Sequence, residues 1–92
     1  MVKKGQWVAV FWEDIVGVER PWLSPEEALQ VTPAPMVTLG VLLSRSKECV
    51  VVASTLELSQ EDPHVGSVCC IPTGAIQSLN AVPMPQEAKG GR

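Results

Sequence analysis

The side chains best suited to chemistry in this sequence are Cys49, Cys69, Cys70 and the single histidine, His64. A structural zinc site takes four ligands, commonly from cysteine pairs separated by two to four residues. No cysteine pair here has that spacing, and Cys69 and Cys70, as strand neighbours, point to opposite faces. We therefore expect thiols packed as small apolar residues, with a redox pair as the alternative, and no metal or cofactor. We expect His64 in an exposed polar turn, with a surface cation contact as the alternative.

Nucleophilic catalysis has equally little support. His64 is the only ordinary general base, and no G-x-S-x-G turn presents a serine. The terminal KGGR does not connect a strand to a helix, as a phosphate loop must. Glu26 and Glu27 are interpreted as acidic residues in the first turn of a helix, where they interact favourably with the helix dipole. Glu13 and Asp14 are interpreted as solvated charge at a strand end, with a functional edge as the alternative, so the protein is predicted not to be an enzyme.

The charge distribution argues against nucleic acid as a partner. The formal net charge is −3, and four of the seven basic residues lie in the terminal segments. Between Gly5 and Pro85, three basic side chains remain against nine acidic ones, a balance of −6. Nucleic-acid affinity depends largely on Lys and Arg neutralising phosphates. We therefore expect no nucleic-acid binding.

Cysteine usage and hydropathy indicate a protein that is neither secreted nor inserted in a membrane. Three cysteines are too few for a disulfide scaffold, and free thiols suit a reducing cytoplasm. The N-terminal MVKKGQWVAV lacks a signal-length apolar run, and no apolar run approaches the ~18 residues of a membrane helix. The predicted location is cytoplasmic.

Five predicted strands and one helix account for most of the chain. The LSPEEALQV segment has Ser24 as N-cap, Pro25 at the first helical position and Glu27 completing a capping box. Pro33 and Pro35 end this helix after about two turns. The strands are expected at residues 6–15, 36–44, 48–58, 65–71 and 75–82.

The segment VGSVCCIPTGAIQSL predicts a corner between the last two strands. Pro72 lacks an N–H and suits the exit from a ladder, while Gly74 supplies backbone freedom where the chain doubles back. With Ile71 and Ile76 bracketing the turn, the segment resembles the 3₁₀ corner of SH3-like barrels. We predict a mainly β fold over residues 1–82: a small five-stranded antiparallel SH3-like barrel with one helix after strand 1. Residues 83–92 are predicted to form a flexible tail.

The predicted strands are apolar on both faces. Val50 and Val52 point one way, and Cys49, Val51 and Ala53 the other. A lone small barrel has one buried face and one wet face. Either the insertion around residue 22 folds back as a lid, or other subunits cover the second face, and we expect a homo-oligomer.

The chain resembles a group of short bacteriophage and prophage proteins that have no assigned activity. The resemblance covers residues 7–82 and lies in W-x-x-x-x-W-E-D, PWLSPEEAL, VTLGVLL, VVVAST and IPTGAIQSL. It implies a phage context, hence a host cytoplasm, and no catalytic residues. Sm-like proteins, bent five-stranded barrels that form nucleic-acid-binding rings, are the alternative, although they usually place their helix before the first strand.

These observations predict a non-catalytic protein-interaction or assembly module with a protein partner. Its partner-binding residues are predicted to be Trp12, Asp14 and Trp22, because aromatic rings supply rigid contact area while carboxylates orient a basic or proline-rich segment. The alternative is that the two tryptophans pack together as the lid of a small core.

Overall fold

Five β-strands form a single antiparallel sheet in the computed structural model, which describes residues 2–59, 61–62 and 64–83. The strands are β1 (Trp7–Asp14), β2 (Ala34–Arg45), β3 (Cys49–Glu57), β4 (His64–Pro72) and β5 (Ile76–Ala81). A helix, α1 (Pro25–Ala28), lies between β1 and β2, and a 3₁₀ turn (Thr73–Ala75) lies between β4 and β5. The predicted mainly β fold, with five antiparallel strands, one short helix and a 3₁₀ turn, is confirmed.

The sheet has β4 and β5 at its two edges, in the order β4-β3-β2-β1-β5. Within the described ranges, ladders join β1 to β2, β1 to β5, β2 to β3 and β3 to β4. Closure of the sheet into a barrel would need a further contact between β4 and β5. Of the predicted C-terminal tail, residues 84–92 lie outside the described residues.

The main buried cluster lies on one face of the sheet, called here the inner face, while Ala9, Val41 and Ala53 are buried on the opposite face. It consists of side chains that alternate along β1 to β4, as period-2 strands require. Trp12, Cys69, Ile76 and Leu79 pack partly buried against it. The buried cluster contains Val8, Val10, Leu42, Val50, Val52 and Ile71, each no more than 1% exposed.

A close backbone approach at Gly40 shapes β2. Residues 34–41 of β2 pair with β1, while its second half pairs with β3 through an irregular step between Leu42 and Ser44. A Cβ atom at Gly40 would collide with the backbone carbonyl of Ala53 and with a side-chain methyl of Val52. Only glycine therefore lets β2 lie this close to β3.

The 3₁₀ turn is tied to the β2–β3 hairpin. The Thr73 amide donates to the Glu48 carbonyl at 2.9 Å, and its hydroxyl donates to the Ser46 carbonyl at 3.1 Å. Ile71 is 1% exposed before the turn. The prediction that Gly74 is needed for backbone freedom is wrong, because its φ is not in the left-handed region and a Cβ there would meet nothing within 4 Å.

Helix α1 is shorter than predicted. Ser24 is its N-cap and forms the predicted capping box with Glu27. Regular helix ends at Ala28: the Leu29 amide still bonds four residues back to Pro25, whereas the amides of Gln30 and Val31 bond only three residues back. None of its residues is buried, so no packing favours a second turn, and the prolines that follow prevent one.

Candidate interaction surface

The face of the sheet opposite the core carries exposed apolar side chains. Phe11 on β1 lies opposite Val37 on β2, and Leu39 follows two residues along on the same face. Their side chains are 46%, 52% and 56% exposed, respectively. We call Phe11, Val37 and Leu39 the outer-face patch. Apolar residues alternating toward solvent on two paired strands confirm that these strands are apolar on both faces.

The connection between β1 and β2, residues 15–33, forms an arm that carries three almost fully exposed large apolar residues, while Leu23 in the same segment is half-buried. Ile15 is 92% exposed, Trp22 is 87% exposed and Leu29 is 83% exposed. Local polar contacts order the arm around α1: Arg20 forms an ion pair with Glu27 at 3.1 Å. A hydrogen bond from the Ser24 amide, with help from Arg20, holds the pKa of Glu27 below its ordinary value.

The three predicted partner-binding residues occupy different environments. Trp12 lies on the inner face, half-buried against the core, and its indole N–H donates to the Thr38 hydroxyl at 2.9 Å. Asp14, two residues further on, is half-buried and accepts from the Ile15 amide at 2.9 Å. Trp22 stands in solvent on the arm. An indole that is 87% exposed cannot be packed as a lid, so the structure does not join the two tryptophans over the core.

The cysteines divide between the two faces, as their alternation predicts. Cys69 packs against the core, while Cys70 is exposed. Cys70 pairs with Val51, two residues from Cys49, so Cys49 and Cys70 are diagonal neighbours. A hydrogen bond between these two thiols raises the pKa of Cys70. In the described part of the chain, no group of three or more His, Cys, Asp or Glu residues lies close enough to hold a metal ion.

A shallow cleft opens where β1 begins, a feature that the sequence pattern does not reveal. It has a volume of about 250 Å³ and is lined by Gly5, Gln6, Trp7 and Val82. Its walls are fixed by backbone hydrogen bonds: the Val82 amide donates to the Trp7 carbonyl at 2.9 Å, and the Leu42 amide to the Gln6 carbonyl at 2.9 Å. These contacts join residues far apart in sequence, so no local motif indicates them.

Comparisons with protein-family models, with curated proteins and with solved structures found no match to this chain. The resemblance to short bacteriophage proteins stays a prediction. Among the described residues, no helix has the length and apolarity that spanning a membrane requires.

Proposed function

We propose that this protein is a non-catalytic assembly module with an SH3-like fold, which acts by binding further copies of itself. The arm carries the proposal, because Ile15, Trp22 and Leu29 are each more than 80% exposed there. Isolated exposed apolar residues are ordinary on a protein surface. Several large ones on a single capped segment are typical of an interaction site.

The outer-face patch extends this surface onto the sheet. β1 ends at Asp14 and β2 begins at Ala34, so the arm leaves and rejoins the sheet a few residues beyond Phe11 and Val37. The two ends of the arm therefore lie close to the patch. A second copy seated across both would remove from water the apolar area that a monomer leaves exposed.

The two edges of the sheet favour the same function. β4 and β5 each pair with one strand, and each has its second edge free within the described residues. Free edges offer backbone donors and acceptors to another chain. Edge-to-edge pairing would add main-chain hydrogen bonds to the apolar contact.

The test compares three variants by light scattering at one protein concentration. The arm variant is Trp22→Ser with Leu29→Ser, and the outer-face variant is Val37→Thr with Leu39→Thr. The control is Leu58→Ser, which removes a leucine that is 72% exposed beyond the end of β3. We expect the wild type and the control to have the same oligomeric mass. At least one of the other two variants should shift toward the monomer, and an unchanged mass for both would contradict the proposal.

A further inference from the structure

Charge is separated along β2, the longest strand of the sheet. The arm precedes this strand, and the end of β1 pairs with its first residues through Asp14 and Ala34. Five carboxylates lie in this part of the molecule against one basic residue, Arg20. We call the following set the arm pole: Glu13, Asp14, Glu19, Glu26 and Glu27.

Basic residues outnumber acidic ones at the opposite end of β2, where Glu48 in the β2–β3 hairpin is the acidic residue. Arg45 is its last residue, and Lys47 lies in the hairpin that follows. Lys3 and Lys4 lie beside the same end, because the Gly5 amide donates to the Leu42 carbonyl at 2.8 Å. We call these four residues the basic pole. Lys3 and Lys4 are about forty residues from Arg45 and Lys47 in sequence, and the fold brings the two pairs to one end of the sheet.

Most of these charges are exposed and available to a partner. All four residues of the basic pole are exposed. Arg20 with Glu27 forms the one salt bridge among the described residues, and it lies within the arm. The negative and positive groups at the two poles therefore do not neutralise each other within a single copy.

We propose that the arm pole of one copy binds the basic pole of the next, in a head-to-tail contact. This inference rests on the proposed assembly function and names the surfaces that meet. A second copy is the occupant that the charges favour, because the same chain presents both complementary surfaces. Such a contact is heterologous, so it repeats from copy to copy and ends only where a ring closes.

The cleft beside the basic pole provides an apolar component for this contact. Gly5 and Gln6 line it and directly follow Lys3 and Lys4. Its volume of about 250 Å³ is below the range of typical small-molecule sites, ~300–1,000 Å³. A space of that size suits one aromatic side chain. The exposed Trp22 of the neighbouring arm would stack there against Trp7 while the arm carboxylates face the lysines.

The sharpest test of the contact substitutes two charged residues in each pole and then mixes the two variants. The basic-pole variant is Arg45→Glu with Lys47→Glu, and the arm-pole variant is Glu19→Lys with Glu26→Lys; all four positions are exposed. Each variant alone should lose assembly, because its altered pole then carries no net charge: two acidic and two basic side chains at the basic pole, or three and three in the arm pole together with Arg20. An equimolar mixture should form a one-to-one complex heavier than either variant alone, because the unaltered arm pole of the basic-pole variant meets the unaltered basic pole of the arm-pole variant. This rescue cannot arise from misfolding of either variant.

Salt and a matched control complete the test. The association constant of the wild type should fall roughly tenfold or more when the ionic strength is raised. The reason is that salt at 0.1 M screens exposed charges that are more than ~10 Å apart. The control, Glu61→Lys with Asp62→Lys, changes the net charge by the same amount as the arm-pole variant but between β3 and β4, and it should assemble like the wild type.

Different results would contradict the proposed function and the head-to-tail contact. A wild type that is monomeric at every salt concentration would contradict both. An oligomer whose mass ignores salt and both reversals, or a mixture that shows no rescue, would overturn the head-to-tail contact alone. Single-stranded RNA is the competing occupant of the basic pole. RNA retention lost in the basic-pole variant, with its oligomeric mass unchanged, would also overturn the contact between copies.

Discussion

The inner face of the sheet and the arm contain similar apolar residues but bury them to opposite degrees. Leu42 is 1% exposed, whereas Leu29 is 83% exposed. The difference arises from the backbone: Leu42 lies in a strand with ladders on both sides, whereas Leu29 caps a single helical turn. An apolar residue stabilises a monomer only where neighbouring elements remove it from water. Under the proposed function, the arm contributes its apolar surface to contacts between chains.

Matched leucine truncations give the largest expected contrast. Leu42→Ala removes a fully buried side chain and should lower the free energy of unfolding by about 2–5 kcal/mol. Leu29→Ala makes the same chemical change at an exposed site and should alter it by less than about 0.5 kcal/mol under conditions where the protein is monomeric. Denaturant unfolding at a fixed protein concentration measures both. Equal losses would show that the arm is packed like the core.

Alanine substitutions at two glycines compare a closely packed position with an open one. Gly40→Ala forces a Cβ against the Ala53 carbonyl and should destabilise the fold by about 1–3 kcal/mol. Gly74→Ala places a Cβ where nothing lies within 4 Å and should leave the fold near wild-type stability. Thermal unfolding of the two variants checks the prediction. A Gly40→Ala protein as stable as Gly74→Ala would mean that β2 and β3 are not so close.

The hydrogen bond that orients Trp12 should have a smaller effect. Thr38→Val keeps the shape of the side chain but removes the acceptor for the indole N–H. Because Trp12 is half-buried, water can partly replace the lost partner, and we expect a loss of about 0.5–1.5 kcal/mol. Thr32→Val, at an exposed position of the arm, is the control. Identical denaturation midpoints for the two variants would argue that the indole is not held by Thr38.

The pH dependence of the arm should be the smallest effect and should stay local. The pKa of Glu27 is lowered in the folded chain, so its contacts stabilise the capped turn above the ordinary value of 4.5. That contribution is lost as the pH falls below 4.5 through the lowered folded value. The amide protection factors of Ser24 and Glu27, which correct for the slower intrinsic exchange at lower pH, should therefore fall in this window, while that of Val52 stays unchanged. A uniform change in all three amides would contradict a local effect.

The element order could be predicted because its signals are local. Period-2 apolar runs, the Ser24 cap and the Ile71-Pro72 corner each depend on residues within a few positions of one another. The length of α1 was overestimated because helix ends depend on packing, which the exposed arm lacks. The Gly74 prediction was wrong because a 3₁₀ turn after Pro72 keeps ordinary backbone angles.

The features that define the candidate surface are less accessible from sequence. The basic pole depends on the hydrogen bond between Gly5 and Leu42, and the cleft on the one between Val82 and Trp7. Gly40 is required because Ala53, thirteen residues away, approaches it. The sequence identifies Trp22 as a candidate without indicating whether it is covered. Only the fold shows that it faces solvent.

The mass of the wild-type protein in solution tests the central claim most directly. Sedimentation equilibrium at low salt and several protein concentrations should give a multiple of the 9.9 kDa chain mass. A single species of 9.9 kDa at every concentration would contradict the claim, because the arm and the outer-face patch would then remain exposed without a second copy to cover them.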